Sequence, residues 1–279
     1  MKVSVVMASR NPQRDLLESA IKSVLAQTFK NFDLIIVDDG SDVPIEGDIK
    51  EISTDERIRV YRIPNSGLGA ALNYGINISD AQYIARLDDD DLMCPTRLEK
   101  QFAFMDKHPE VSCLGTQHFD KVGNRYRKHK FYPVDHEQMV RAMLTDRRLP
   151  MAHTALMFRR TSFDEIGGYR IPGGGQDADL ILQMSRVGKL ANLSEYLTYY
   201  TMTTAGLGTV NPNKRKAYLF AYEEILKQNV YPQYEPQIKN SINILKDQIT
   251  AGQKSVRKTK IIRKLLALRI ILLGKEFKG

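Results

Sequence analysis

The sequence predicts an α/β fold: a mixed, mainly parallel sheet flanked by helices, with a helical C-terminal extension. Short Val- and Ile-rich runs alternate with segments of helical periodicity over the first hundred or so residues. That alternation predicts parallel strands joined by helical crossovers. From about residue 111 strand-like runs follow one another around a Val-Gly-Asn turn, which adds an antiparallel or mixed section. After Pro212 the chain turns helical and polar.

Each element follows from its local pattern. KVSVVMA (2–8) is a buried-type strand, and residues 14–27 place Leu17, Ala20, Ile21, Val24 and Leu25 on one helical face. Residues 32–42 form a second strand ending in an acidic, Gly-containing turn. A third strand at 57–63 leads to a helix at 69–78, and a fourth strand at 82–87 runs into Asp88, Asp89, Asp90 and Asp91. Pro95 then begins a helix with Leu98, Phe102 and Met105 on one side. Further on, 153–160 reads as a strand, the Gly-rich segment 167–176 opens a helix at 177–188, and 192–202 is the last strand. The expected organisation is one domain over 1–210 and a helical extension over 211–279.

Composition narrows the class. With 42% hydrophobic and 27% charged residues in 279, the chain can bury a sizeable core. Two cysteines form no disulfide framework, the first residues show no signal-peptide pattern, and no apolar run approaches the ~20 residues of a membrane span. These features lead us to expect a cytoplasmic protein. The net charge of +8 is local: residues 253–279 hold nine Lys/Arg against Glu276 alone, so the rest is neutral. In that tail Ile261, Leu265, Leu268 and Leu272 share a helical stripe bordered by bases. Such a helix suits an anionic membrane surface at the cytoplasmic face, or docking on the chain itself or a second subunit. No nucleic-acid partner is expected.

The acidic clusters are the main chemical signal. Open parallel sheets bind ligands outside the carboxyl ends of their strands, and Asp38–Asp39 and Asp88–Asp91 both fall there. In an extended segment side chains two apart share a side, so Asp88 and Asp90 would project together and suit Mg²⁺ or Mn²⁺. Asp89 and Asp91 would then be solvated or cap a helix. Rival motifs are missing: a Ca²⁺ loop from Asp88 would need Gly where Met93 stands, and there is no P-loop or hydrolase elbow. GLGAAL (67–72) lacks the third Gly of a dinucleotide loop, and the five histidines show no metal-site spacing.

Five segments in order, VSVVMASRN, SVLAQTFKNFDLIIVDDGSD, NSGLGAALNYGI, YIARLDDDDLMCPTRLEKQ and FRRTSFDEIGGYR…GGGQDADLILQM, resemble family 2 glycosyltransferases across roughly residues 2–205. The resemblance implies a GT-A fold and an inverting enzyme that uses a nucleotide-diphosphate sugar, most simply a UDP-sugar, with Mn²⁺ or Mg²⁺. Carried over by position, it implies that Asp39 contacts the nucleobase with Asp38 beside it, and that Ser9 and Arg10 line the same nucleotide pocket. It places Asp88 near the ribose and the metal, Asp90 on the metal, and Asp177 as catalytic base. Asp177 could instead be only an N-cap. The acceptor implied is a hydroxyl of a glycan or lipid-linked glycan in polysaccharide or glycolipid assembly. The alternative is a non-catalytic membrane- or nucleic-acid-binding protein on the same scaffold. Two departures stand out: Gln176 replaces the acid that often precedes the base, and LTYYTMTTAGLG lacks the Arg-x-His that often follows the last strand.

Overall fold

The computed structural model describes residues 2–47, 49, 54–122, 125–171, 174–202 and 212–251. The expected domain boundary at 210/211 and the basic tail at 253–279 lie outside the described residues.

The N-terminal half follows the alternating pattern: β1 (Val3–Ser9), α1 (Arg14–Leu25), β2 (Phe32–Asp39), β3 (Ile58–Ile63), α2 (Leu68–Asn77) and β4 (Tyr83–Arg86). β1 pairs in parallel with β2 and β4, and β2 with β3, so four strand ends open on one edge. Side chains alternate across this sheet. Val3, Val5, Met7, Leu34 and Ile36 pack with Leu17, Ile21 and Val24 of α1, while Val6, Ile35 and Val37 pack with Leu72 and Ile76 of α2. Each fully buried side chain of this kind contributes roughly 1.5–3 kcal/mol. α2 lies so close that a Cβ on Gly75 would come within 2.8 Å of Val6 Cγ1.

The second half is the mixed section: β5 (Leu92–Met93), α3 (Arg97–Lys107), β6 (Val111–Val122), β7 (Arg125–Lys128), α4 (His136–Leu144), β8 (Met157–Arg159), α5 (Arg160–Glu165), α6 (Gln176–Val187) and β9 (Lys189–Thr201). The sheet runs β3-β2-β1-β4-β8-β6-β9-β5, with β7 paired to β6. β8 is antiparallel to both β4 and β6, while β6 and β9 are parallel. The expected strand at 153–160 is shorter, because residues His153–Ala155 form a 3-10 turn. The helix expected from Pro95 starts at Arg97, since Leu92–Met93 first pair with β9.

α7 (Pro212–Lys227) and a helix over 235–251, α8, close the lower face. Tyr222 and Ile225 of α7 and Ile238 and Ile242 of α8 join the core cluster that contains Leu180 of α6. Tyr222 OH donates to Met143 O at 2.6 Å, which ties α7 to α4. Among the described residues no helix is long and apolar enough to cross a membrane.

Candidate active site

The site forms where β1, β2 and β4 end and where α6 begins. On the β1–β2 side the two carboxylates are held by backbone amides. Asp38 is buried and accepts from Ser41 N at 2.8 Å and Ile45 N at 3.4 Å, with Arg62 NH1 3.6 Å away. Asp39 accepts from Ser66 N at 2.6 Å and Gly67 N at 2.9 Å, so it fixes the entrance to α2. Asn11 sews the two loops together: its amide donates to Ser41 Oγ at 2.9 Å, and its side-chain oxygen accepts from Asp42 N at 2.8 Å. Ser9 is buried and donates to Asp89 Oδ2, whereas Arg10 is exposed. The structure thus brings Ser9, Asp38 and Asp39 to one rim, with Arg10 on its outside.

The four aspartates form a turn. Asp91 N donates to Asp88 O at 3.3 Å, so the extended segment expected to align Asp88 with Asp90 is not formed. The alternation argument fails because the chain must reverse here to let Leu92–Met93 pair with β9. Asp91 is neither solvated nor capping, and Asp89 is half-buried. Asp89 accepts from Ser9, and the fully buried Asp91 accepts from Thr201 N at 2.7 Å. All four carboxylates thus hang from one tight turn.

Arg86 is the guanidinium that pairs directly with this turn, while the buried Arg97 also feels the charge of Asp91. Arg86 is buried at the end of β4, donates to Leu87 O and forms an ion pair with Asp88. Burial opposes ionisation of Asp88, yet Arg86 and His153 hold its pKa below the ordinary value. The other three are pushed up, each chiefly by burial. Asp89 rises despite the Ser9 hydrogen bond, Asp90 rises to about 6 with the charges of Asp88 and Asp89 adding, and Asp91 rises well above the usual range. Such a cluster, short of positive charge, fits a divalent ion with oxygen ligands. Asp88 and Asp90 are half-buried and reachable, while Asp91 faces the β9 backbone.

Asp177 acts on two of the same side chains as this turn, His153 and Tyr200. α6 starts after Gly175, whose φ of 99° is left-handed, and a Cβ there would come within 2.6 Å of Ala217 Cβ on α7. Gly175 therefore occupies the cap position, and Asp177 sits in the first turn behind Gln176. The N-cap reading of Asp177 is corrected accordingly. Its Oδ1 accepts from Ala178 N at 2.8 Å, and the residue is half-buried. Tyr200 shows the convergence: burial and the charges of Asp91, Asp88, Asp90 and Asp177 push its pKa up to about 12. His153 lies in the same field. Its Nε2 is 2.7 Å from Tyr169 OH, and burial with the nearby Arg86 pushes its pKa down to about 4 although Asp88 and Asp177 oppose this.

Sequence reasoning missed several of these groups. Arg86 was detectable as a cation inside an apolar strand, two residues before Asp88. Tyr200, Tyr169 and Thr201 left no local signal. Asp179, in the first turn of α6, is buried and held by Arg170, whose Nε donates at 3.0 Å, and Arg170 also lies over Phe220 at 4.9 Å. This pair anchors the loop before α6 to α7. The histidines expected to lack metal spacing include two, His118 and His129, that the fold joins to Asp120 within 4.8 Å of one another.

A mixed sheet with carboxylates gathered at its switch point, opposite an acidic helix start, defines a GT-A type transferase scaffold. The chain belongs to glycosyl transferase family 2, whose sequence profile matches residues 4–167. It is 31% identical over 209 residues to an uncharacterized glycosyltransferase of Haemophilus influenzae, covering 71% of this chain and 75% of that one. It is also 29% identical over 232 residues to the amylovoran biosynthesis glycosyltransferase AmsE of Erwinia amylovora, covering 80% and 82%. Among solved structures, residues 1–349 of S. aureus TarS in complex with UDP-GlcNAc superpose with a TM-score of 0.69 at 18% identity, covering 86% of this chain and 72% of that one. The protein is thus a glycosyltransferase with relatives in polysaccharide biosynthesis, and a purely non-catalytic binding role is not favoured.

Proposed function

We propose that this glycosyltransferase is inverting and metal-dependent, and moves a hexosyl or N-acetylhexosaminyl group from a UDP-sugar to a hydroxyl of a glycan or lipid-linked glycan. The observation that supports this best is the convergence of Asp177 with Asp88–Asp91 around Tyr200 and His153. The UDP-GlcNAc held by TarS supports a nucleotide-sugar donor. The amide-held rim of Asp38, Asp39 and Ser9 is where the nucleoside would bind. Each Asp39 oxygen has a lone pair left beside its amide bond, enough to accept a ring N–H of uracil.

Asp88 and Asp90 are the residues that would hold Mn²⁺ or Mg²⁺. When bound, the ion supplies charge neutralisation to the leaving diphosphate. Asp177 takes the proton from the acceptor hydroxyl as that oxygen bonds to C1 of the sugar. The C1–O bond to phosphate breaks, and its electron pair leaves with the nucleotide. A single displacement inverts C1. Tyr200 stays protonated between the two acidic groups and can donate a hydrogen bond to substrate, while neutral His153 and Tyr169 shield the pocket from water.

Asp177→Asn tests the assignment. It keeps the shape and an oxygen for Ala178 N, so fold and UDP binding should persist while transfer falls ~10²-fold or more, the usual scale for losing a general base. Near wild-type transfer by this variant would move the base elsewhere. We also assign the protein to the cytoplasmic face of a membrane through residues 253–279. Their deletion should weaken binding to anionic liposomes, and equal binding would remove that role.

A further inference from the structure

The β6–β7 hairpin builds a second group of potential ligands, independent of the acidic turn. His118 and Asp120 stand two apart on β6 and therefore point to the same face. The register sets Asp120 opposite Arg127, and His129 N donates to His118 O at 3.0 Å, so His129 lies opposite His118. The imidazoles stack with centroids 4.2 Å apart. Asp120 Oδ1 is 2.9 Å from His129 Nδ1 and 3.4 Å from His118 Nε2. Ligands bound at ~2.0–2.2 Å around one tetrahedral ion are separated by roughly 3.4 Å.

The surroundings are those of a supported site. His118 and Asp120 are nearly inaccessible, at 3% and 4% exposure. Arg127 NH2 donates to the other Asp120 oxygen at 3.0 Å, which fixes the carboxylate and leaves Oδ1 toward the imidazoles. Outer partners of this kind orient metal ligands. His129 borders an open cleft of about 630 Å³ lined by Tyr132, Arg141, Asp146 and Arg148 among others. On the inner side the ring of Tyr200 lies 5.6 Å from that of His118. The group is thus one aromatic ring away from the candidate active site.

We propose that His118, Asp120 and His129 bind a first-row transition-metal ion such as Zn²⁺, at a site distinct from Asp88–Asp91. Two imidazole nitrogens with one carboxylate oxygen suit borderline ions, whereas the all-oxygen turn suits Mg²⁺ or Mn²⁺. An ion there would lock the hairpin to β6 and fix the wall behind Tyr200, with the cleft supplying its remaining coordination positions.

Titration of the tag-free full chain with Co²⁺, followed by its visible absorption, and with Zn²⁺ by calorimetry tests this, both in saturating Mg²⁺. The expected result is one tight site with the intense bands of low-coordinate cobalt. His129→Ala, at a partly exposed position, should weaken it at least 10²-fold, beyond the roughly 10–100-fold cost of losing a supporting group. Asp120→Asn should weaken it likewise, and Asp90→Asn should leave it unchanged. No cobalt site in the wild type, a site indifferent to His129→Ala, or a site lost in Asp90→Asn would overturn the proposal. None of these readouts depends on sugar transfer, so the site and the proposed reaction fail separately.

Discussion

The two sides of the candidate active site handle buried charge in opposite ways. On the β1–β2 side, Asp38 and Asp39 are both buried, and backbone amides of residues 41, 45, 66 and 67 donate to their oxygens. On the β4 side, four aspartates have one direct ion pair, Arg86 with Asp88, and three have raised pKa values although the buried Arg97 lies in the field of Asp91. The first side is complete before any ligand arrives. The second is short of positive charge until a ligand or ion supplies it. An amide-held rim thus lies beside a turn whose carboxylates resist ionisation, a contrast that fits the proposed split between recognition and chemistry.

The largest expected effect comes from making the unfinished side worse. Arg86→Met should destabilise the protein by about 3–5 kcal/mol, the cost of leaving a buried charge without its partner. Mn²⁺ should restore part of that loss in a denaturant titration, because a cation substitutes for the guanidinium. A variant as stable as wild type in chelator would show that the aspartates are not in need of positive charge.

Disturbing the finished side should cost less. Asp39→Ala leaves the amides of Ser66 and Gly67 without acceptors, for a loss of about 1–3 kcal/mol. UDP affinity should fall as well, with no change in its metal dependence. If Asp39→Ala altered the metal dependence instead, the two sides would not be separable.

The smallest effect has the opposite sign. Asp90 titrates near 6 in the fold against an ordinary 3.8. Folding therefore takes up a proton as pH falls from about 6 toward 3.8, so the destabilisation is complete above about pH 6 and vanishes below that window. In chelator at pH 7.5, Asp90→Asn should raise the melting temperature by roughly 2–4 °C, corresponding to about 1 kcal/mol. The gain should disappear toward pH 4 and in saturating Mn²⁺. A lowered melting temperature in chelator at pH 7.5 would contradict the raised pKa.

Much of the first side was legible in the sequence, because it is built locally. Strand periodicity placed Asp38 and Asp39 at the end of β2, and the VDDGSD motif marked their turn. The second side was legible only as composition. Four consecutive aspartates announced a charged site, but their conformation depends on Leu92–Met93 pairing with β9, more than a hundred residues away. Tyr200 and Thr201 enter the site through that same pairing, so nothing near residue 88 could announce them. His118 and His129 escaped for a related reason: the hairpin register, rather than a sequence spacing, makes them neighbours. Asp177 was recognised by position, but its place behind Gly175 required knowing that Gly175 turns left-handed against Ala217.

In the proposed reaction a divalent ion should complete the acidic turn when the nucleotide binds. Calorimetric titration of UDP into the full chain, in Mn²⁺ and again in chelator at pH 7.5, tests it directly. The account predicts clearly tighter binding with Mn²⁺, and a difference that shrinks as pH falls below about 6 and Asp90 protonates. Equal UDP affinity in the two solutions would contradict it.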